Sequence, residues 1–331
     1  MRDLNNKRPL KGLVALVLLL NLAVWAIAWV NFSDSASLLG LAVIAYSFGL
    51  RHALDADHIA AIDNATRRLM LSGKSARGVG IYFSLGHSSV VLLLSLGIAM
   101  SATMVQSHFD SLLSIGKTLG TGISILFLVT VGLANLRLAI GMWRDNRRGA
   151  EAGSTPNPRT PWYGGVFKLV RKSWHLYPLG FLFGLSFESA TEIALLGISA
   201  SSASAHWPVW QVMIFPLLFS AAMVLVDAAD GVLMLGVYGW GNRSQSAKLY
   251  YNLAVTLVSV GVALVIAVIQ VMGLIDEHYA TAKWFHDTVA FVNDNFSLFG
   301  FLIIGIFALG WLVAFGLNYL RHREAKLERI E

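Results

Sequence analysis

A helix that crosses the hydrocarbon core of a bilayer needs roughly 20 consecutive, mostly apolar residues. This 331-residue chain contains eight such stretches, over about 12–31, 37–62, 79–104, 119–143, 177–200, 209–240, 249–275 and 297–320. The second is the weakest, being apolar only as far as Leu50 before it reads RHALDADHIAAID. The expected fold is therefore all-α: a polytopic membrane protein with eight transmembrane helices, forming one transmembrane domain over residues 1–331. Composition agrees. Apolar residues make up 56% of the chain and charged residues 13%, against about 25% charged in soluble domains. Too few charges remain to coat a water-facing surface of this size, which excludes a soluble enzyme and a disordered chain. There is no cysteine, so disulfides, thiolate metal sites, iron–sulfur clusters and cysteine nucleophiles are excluded as well.

The first stretch has one competing reading. A basic start precedes it, and Ala26-Ile27-Ala28 resembles a signal-peptide cleavage site. The apolar run is longer than the usual 7–15 residues, however, and Trp25 and Trp29 read as an interfacial belt.

Basic residues orient the spans, because Lys and Arg concentrate in cytoplasmic loops. With the N-terminus in the cytoplasm, the inside segments hold 21 of the 25 basic residues, among them Arg67, Arg68, Lys74 and Arg77 after span two. The outside segments hold only Lys117 and Lys283, and Arg51 and Arg137 lie within spans. An odd number of spans would scramble this alternation, so both termini are expected in the cytoplasm. The formal net charge of +6 is thereby explained without a nucleic-acid partner. Loops are short except about 144–176, a cytoplasmic linker ending in WYGGVFKLVRKSWHLY, which suits a stretch lying at the membrane surface. The outside segment 276–296, with Asp276, Glu277, His278, His286, Asp287 and Asp294, reads as a solvated acidic loop. Gly116–Gly120 and Gly180–Gly184 have the spacing that lets helix backbones touch.

Ionisable groups at bilayer depth are expensive and usually mark ion paths or relays. Span two carries Arg51, His52, Asp55, Asp57, His58 and Asp63; span three carries His87; span five carries Glu188 and Glu192; span six carries Asp227 and Asp230. Internal salt bridges account for part of this: Arg51 and Asp55 are four apart, and Arg137 reads as the counter-charge to one buried acid. The acids still outnumber the two arginines, and a cavity with that balance favours cations. His52, Asp57 and His58 spell His-x4-Asp-His. On an ideal helix the two histidines lie ~120° apart the short way round, so joint ligation requires the helix to unwind or bend, and Gly49 is a suitable place for it. Imidazole with carboxylate and no sulfur points to a borderline divalent transition metal rather than copper(I). His58 and His87 fall at similar depth on antiparallel neighbours. Glu188 and Glu192, and Asp227 and Asp230, each share a helix face and read as parts of a cation path. Ser88 and Ser89 are expected to bond backbone or a neighbouring helix.

Together these segments resemble the nickel/cobalt transporter family. Its hallmark on helix two is similar to RHALDADHIAAIDN, Arg51 to Asn64; its second motif to LGHSSVV, Leu85 to Val91; its third to FESATE, with Glu188 where aspartate is usual; and its fourth to AAMVLVDAAD, with Ala222 for glycine and Ala228 for threonine. The resemblance covers helices two to six in order. It implies uptake of Ni2+ or Co2+ across the cytoplasmic (inner) membrane, with the positions of His52, Asp57 and His58 essential and the helix-three histidine helping to set selectivity. The expected site comprises His52, Asp55, Asp57, His58, His87, Glu188, Glu192, Asp227 and Asp230. No catalytic residue and no cofactor is expected. The partners are the divalent ion as substrate and the lipid bilayer, with no obligatory protein partner evident. No phosphate-binding G-x4-G-K-[ST] motif occurs, so no nucleotide is expected and the energy comes from a gradient. Moving a charge inward gains about 2.3 kcal/mol per 100 mV, and a divalent ion gains twice that. Efflux through the same site is the alternative direction. An intramembrane metal-dependent hydrolase lacks its HExxH signature, and a bis-histidine haem protein has poor neighbours in these carboxylates.

Overall fold

The computed structural model describes residues 8–100, 109–147, 170–186, 190–205, 207–240, 245–279, 281–295, 298–306 and 309. Among these residues the secondary structure is helical and contains no strand. The helices are α1 (Arg8–Phe32), α2 (Ala36–His52), α3 (Ala56–Leu71), α4 (Val79–Met100), α5 (Phe109–Arg147), α6 (Leu176–Phe183), α7 (Ala190–Ser204), α8 (Val209–Val212), α9 (Ile214–Trp240), α10 (Gln245–His278) and α11 (Lys283–Asp294). A 3-10 turn, Ser173–His175, precedes α6, and residues 298–306 are helical.

Among the described residues, five helices are long and apolar enough to cross a membrane, and six if the bent pair α2–α3 is one span. The remaining expected spans fall on interrupted or partly described segments. The stretch 177–200 is divided between α6 and α7, and of 297–320 only 298–306 and 309 are described. The sixth stretch begins as α8 and continues, after Met213, as α9. Pro216 lies in the first turn of α9, where its missing N–H is not needed, whereas its ring prevents one unbroken helix through Val212.

The second stretch departs most from a simple span. α2 ends at His52, α3 begins at Ala56, and the two axes differ by 52°. The break therefore falls at Ala53–Asp55 and not at Gly49, which stays inside α2. Gly49 instead serves close packing. A Cβ there would collide with the carbonyl of Phe219 and crowd Ala222 Cβ at 2.9 Å, so its absence lets α2 lie directly on α9.

α3 is the centre of the bundle. Every residue from His58 to Leu69 is buried, although the segment contains His58, Asp63, Asn64, Thr66, Arg67 and Arg68. An ordinary lipid-facing helix with those side chains would be unstable; α3 is shielded on all sides, chiefly by α4, α5, α9 and α10. This corrects one placement. Arg67 and Arg68, assigned to a cytoplasmic loop by charge counting, are 1% and 8% exposed at the C-terminal end of α3. A buried polar cluster ties α3 to the α5–α10 pair. Asn135 Nδ2 donates to Asn64 Oδ1 (2.9 Å), and Ser259 Oγ donates to Asp63 Oδ2 and approaches Asn64 Oδ1 at 3.2 Å. Elsewhere along the same pair, Ser124 Oγ donates to Gln270 Oε1 at 2.9 Å.

Arg137 is exposed on α5, on the side opposite its buried neighbour Asn135, and makes no ion pair among the described residues. It is not the counter-charge to a buried acid. The acidic segment from the end of α10 onward is also more ordered than a solvated loop. α10 continues to His278 and α11 follows; Lys117 pairs with Glu277 at 2.9 Å, and Asp276 accepts from Thr281 and from His286 Nδ1 (2.9 Å). The exposed apolar faces of α1, α5 and α10 are what lipid-facing helices require.

Candidate metal site

His52, His58 and His87 come together at the break between α2 and α3. The three ring centroids form a nearly equilateral triangle with sides of 4.7, 4.8 and 4.8 Å. One ring nitrogen from each lies within 4.8 Å of the others. His52 and His58 cannot share a point on one straight helix, and the break supplies the missing rotation. Within it, Leu54 N–H donates to Arg51 O (3.1 Å) and Asp55 N–H to His52 O (2.9 Å), a tighter winding than α. The carbonyl of Leu54 is pressed so closely against Gly300 that a Cβ there would collide with it.

Asp55 occupies the N-cap position of α3 with extended backbone, yet its side chain makes no cap hydrogen bond. It turns to His52, whose Nδ1 lies 3.0 Å from Asp55 Oδ2. The next acid, Asp57, takes over at the helix start by accepting from the backbone N–H of His58 at 3.0 Å, which suits a carboxylate in a first turn. Asp57 is half-buried and Asp55 is buried. Asp55 thus orients His52, while Arg51, at the end of α2, is exposed.

His87 is placed by glycines. A Cβ on Gly86 would run into the carbonyl of Tyr177, and one on Gly180 into the carbonyl of Phe83, so α4 and α6 touch backbone to backbone. A Cβ on Gly184 would sit 3.0 Å from the carbonyl of His87 itself. On the other flank, Gly80 lies against the carbonyl of Asp227 in the same way, setting α9 against α4. Ser89 behaves as its sequence suggests, donating to Leu85 O and meeting Tyr177 Oη, both at 2.8 Å.

Carboxylates surround the imidazoles. Glu192 Oε1 is 2.8 Å from His87 Nε2 and 3.6 Å from His52 Nε2, and those two nitrogens are 3.0 Å apart. His58 Nδ1 is 3.3 Å from Asp227 Oδ2. With Nδ1–H donated to Asp55 and to Asp227, the tautomer in which these contacts are hydrogen bonds to carboxylates, His52 and His58 present their Nε2 lone pairs to a ligand. His58 Nε2 is buried with no hydrogen-bond partner, as are His87 Nδ1 and Glu192 Oε2. His52 Nε2, His87 Nε2 and Glu192 Oε1, facing one another at 2.8 to 3.6 Å, can be bridged by a shared proton or by a metal cation. At bonds of about 2.1 Å, typical of imidazole on a divalent metal, donors 90° apart are separated by ~3.0 Å. His52, His87, Glu192 and His58 are therefore the groups that could hold an ion, with Asp55 and Asp227 orienting two of the rings. Asp230, also buried, points neither carboxylate oxygen at a hydrogen-bond partner. Glu188 lies outside the described residues.

Sequence reasoning did not anticipate the aromatic wall. Phe83 stands edge-on to His58 at 5.0 Å, and Phe219 lies 5.5 Å from His52; in an apolar span, a phenylalanine near a site carries no distinguishing mark.

The family model for the high-affinity nickel-transport protein (NicO) matches residues 38–317. The chain belongs to the NicO family. It is thus a multi-pass membrane transporter by family and not an enzyme. The high-affinity nickel transport protein of Cupriavidus necator is 42% identical over 320 residues, covering 93% of this chain and 91% of that protein. The nickel transporter NixA of Staphylococcus aureus is 37% identical over 314 residues, 91% of each. The cobalt transport protein NhlF of Rhodococcus rhodochrous is 34% identical over 304 residues, 88% of this chain and 86% of that one. No solved structure matches this NicO-family chain.

Proposed function

We propose that this protein is a secondary transporter that takes up Ni2+, Co2+ or both across the cytoplasmic membrane, as a single domain of eight spans with both termini inside. The observation that carries this reading is the buried triangle of His52, His58 and His87 with Glu192 at its edge. Its donor set, imidazole nitrogen with carboxylate oxygen, suits the divalent metals between manganese and zinc. Relatives named for nickel and for cobalt support the same cargo.

The hydrated ion arrives from outside and exchanges water for His52, His58, His87 and Glu192. The break at Ala53–Asp55 makes this possible by turning the last residue of α2 and the first turn of α3 toward one point. Phe83 and Phe219 exclude bulk water from the rings. The acids Asp55, Asp57 and Asp227, with Glu188 in the same proposed path, keep the cavity negative as the ion sheds its shell. The membrane potential draws a divalent cation inward, worth about 4.6 kcal/mol per 100 mV for two charges.

The test is uptake of radiolabelled Ni2+ and Co2+ into proteoliposomes under an imposed inside-negative potential. Uptake should collapse in His58→Ala. Undiminished uptake in that variant would refute the site, and accumulation only under an inside-positive potential would reverse the direction.

A further inference from the structure

Asp230 is the group in the bundle that the histidine site leaves unexplained. It is 5% exposed, and both of its carboxylate oxygens are buried without a hydrogen-bond partner. The charged groups acting on it are other acids, Asp227 and Asp63. An ionised carboxylate in such a place is strongly disfavoured unless a proton or a metal cation joins it.

Its position follows from the helices. α3 and α9 run in parallel toward the cytoplasm in the proposed topology, and the His58–Asp227 contact puts those two residues at one depth. From that layer, Asp230 lies three residues further along α9, a rise of ~4.5 Å, and Asp63 five residues further along α3, a rise of ~7.5 Å. α3, α4 and α9 converge here: a Cβ on Gly231 would stand 3.4 Å from Gly80 N and 4.0 Å from Ile62 Cγ2. In the adjoining His58 layer, Asp227 Oδ1 is likewise buried without a hydrogen-bond partner. Arg67 and Arg68, buried at the end of α3, supply positive charge beyond the acids.

We propose that Asp230, with Asp227 and Asp63, forms a second, all-oxygen cation station on the cytoplasmic side of the histidine cluster, which receives the divalent ion from the imidazoles and passes it inward. This deepens the uptake reading and rests on it. Nitrogen donors hold nickel and cobalt more tightly than carboxylates do, so the order of the stations sets a falling affinity along the path. Capture happens at the imidazoles, and release proceeds through oxygen. Asp227, which orients His58 through Oδ2 and keeps Oδ1 open, belongs to both layers and couples them.

The experiment uses the full-length purified protein and two probes. Mn2+ favours oxygen ligands and is counted by electron paramagnetic resonance. Co2+ reports nitrogen ligation by its visible absorption. Wild type should bind Mn2+ at one site. Asp230→Asn should weaken that binding by about tenfold or more, slow Ni2+ uptake in proteoliposomes to a similar degree, and leave the Co2+ spectrum intact. His58→Ala should do the opposite, altering the Co2+ spectrum and keeping the Mn2+ site; a Co2+ spectrum unchanged in His58→Ala would sink the histidine reading and leave the station standing. The proposal is overturned if wild type binds no Mn2+, or if Asp230→Asn leaves Mn2+ binding unchanged. Should Asp230→Asn lose the Co2+ spectrum too, Asp230→Glu decides: retained Mn2+ binding supports the station, and its loss means that Asp230 serves only the fold.

Discussion

Replacing Asp55 separates a carboxylate that orients a ligand from one that is a ligand. In the structure its Oδ2 lies 3.0 Å from His52 Nδ1, both side chains are buried, and the N-cap hydrogen bond normal for an aspartate at this position is absent. Asp55→Asn keeps an oxygen that can accept from Nδ1–H but loses the charge. Asp55→Ala loses both and frees the imidazole to rotate. Loss of such an outer partner costs a metal site about 10- to 100-fold in affinity, or about 1.4 to 2.7 kcal/mol. Asparagine should sit near the lower figure and alanine near the upper. The assay is equilibrium binding of Ni2+ to purified protein by calorimetry. Uptake in proteoliposomes should show the same order. If the two variants lose affinity equally and by far more than a hundredfold, Asp55 is a direct ligand. If neither changes affinity by as much as about twofold, less than half a kcal/mol, the His52–Asp55 contact is incidental to binding.

Glu192→Gln should weaken Ni2+ binding by at least about tenfold, since it removes the charge beside His87 and His52; calorimetry tests it, and unchanged affinity would leave the imidazoles as the whole site. Gly86→Val should destabilise the fold by about 1–3 kcal/mol or more, because its side chain must displace the backbone of α6; thermal unfolding in detergent reads the loss. Ser259→Ala should cost about 1–3 kcal/mol by taking a hydroxyl away from buried Asp63 and Asn64, measured the same way. Arg137→Gln should leave uptake unchanged, because Arg137 is exposed on α5; a substantial loss of uptake would restore it as a counter-charge.

The helical class and the histidines that cluster in the structure were legible because both rest on local sequence. Twenty apolar residues in a row specify a spanning helix, and His52, Asp57, His58 and His87 stand out as ionisable groups in apolar surroundings. The need for a bend between His52 and His58 followed from helical periodicity alone. Its location did not. Gly49 is the conspicuous helix breaker in the sequence, yet its lack of a side chain serves contact with Phe219, and the chain turns at Ala53–Asp55 instead. Pairings across helices were equally hidden. Asp55 with His52 is a neighbour in sequence, but Glu192 with His87 and Asp227 with His58 depend on which helices adjoin. Arg67 and Arg68 show the limit of charge counting. They fall where a cytoplasmic loop is expected, but α3 continues through them inside the protein.

The central claim is that three imidazoles gather on one divalent ion in the middle of the bundle. X-ray absorption at the metal edge of the Ni2+- or Co2+-loaded protein tests it directly, since imidazole rings leave a multiple-scattering signature that water and carboxylate do not. Two to three imidazole nitrogens at about 2.1 Å, with one fewer in His87→Ala, is the result expected. A shell of oxygen alone, unaltered when His52, His58 or His87 is replaced, would contradict the account.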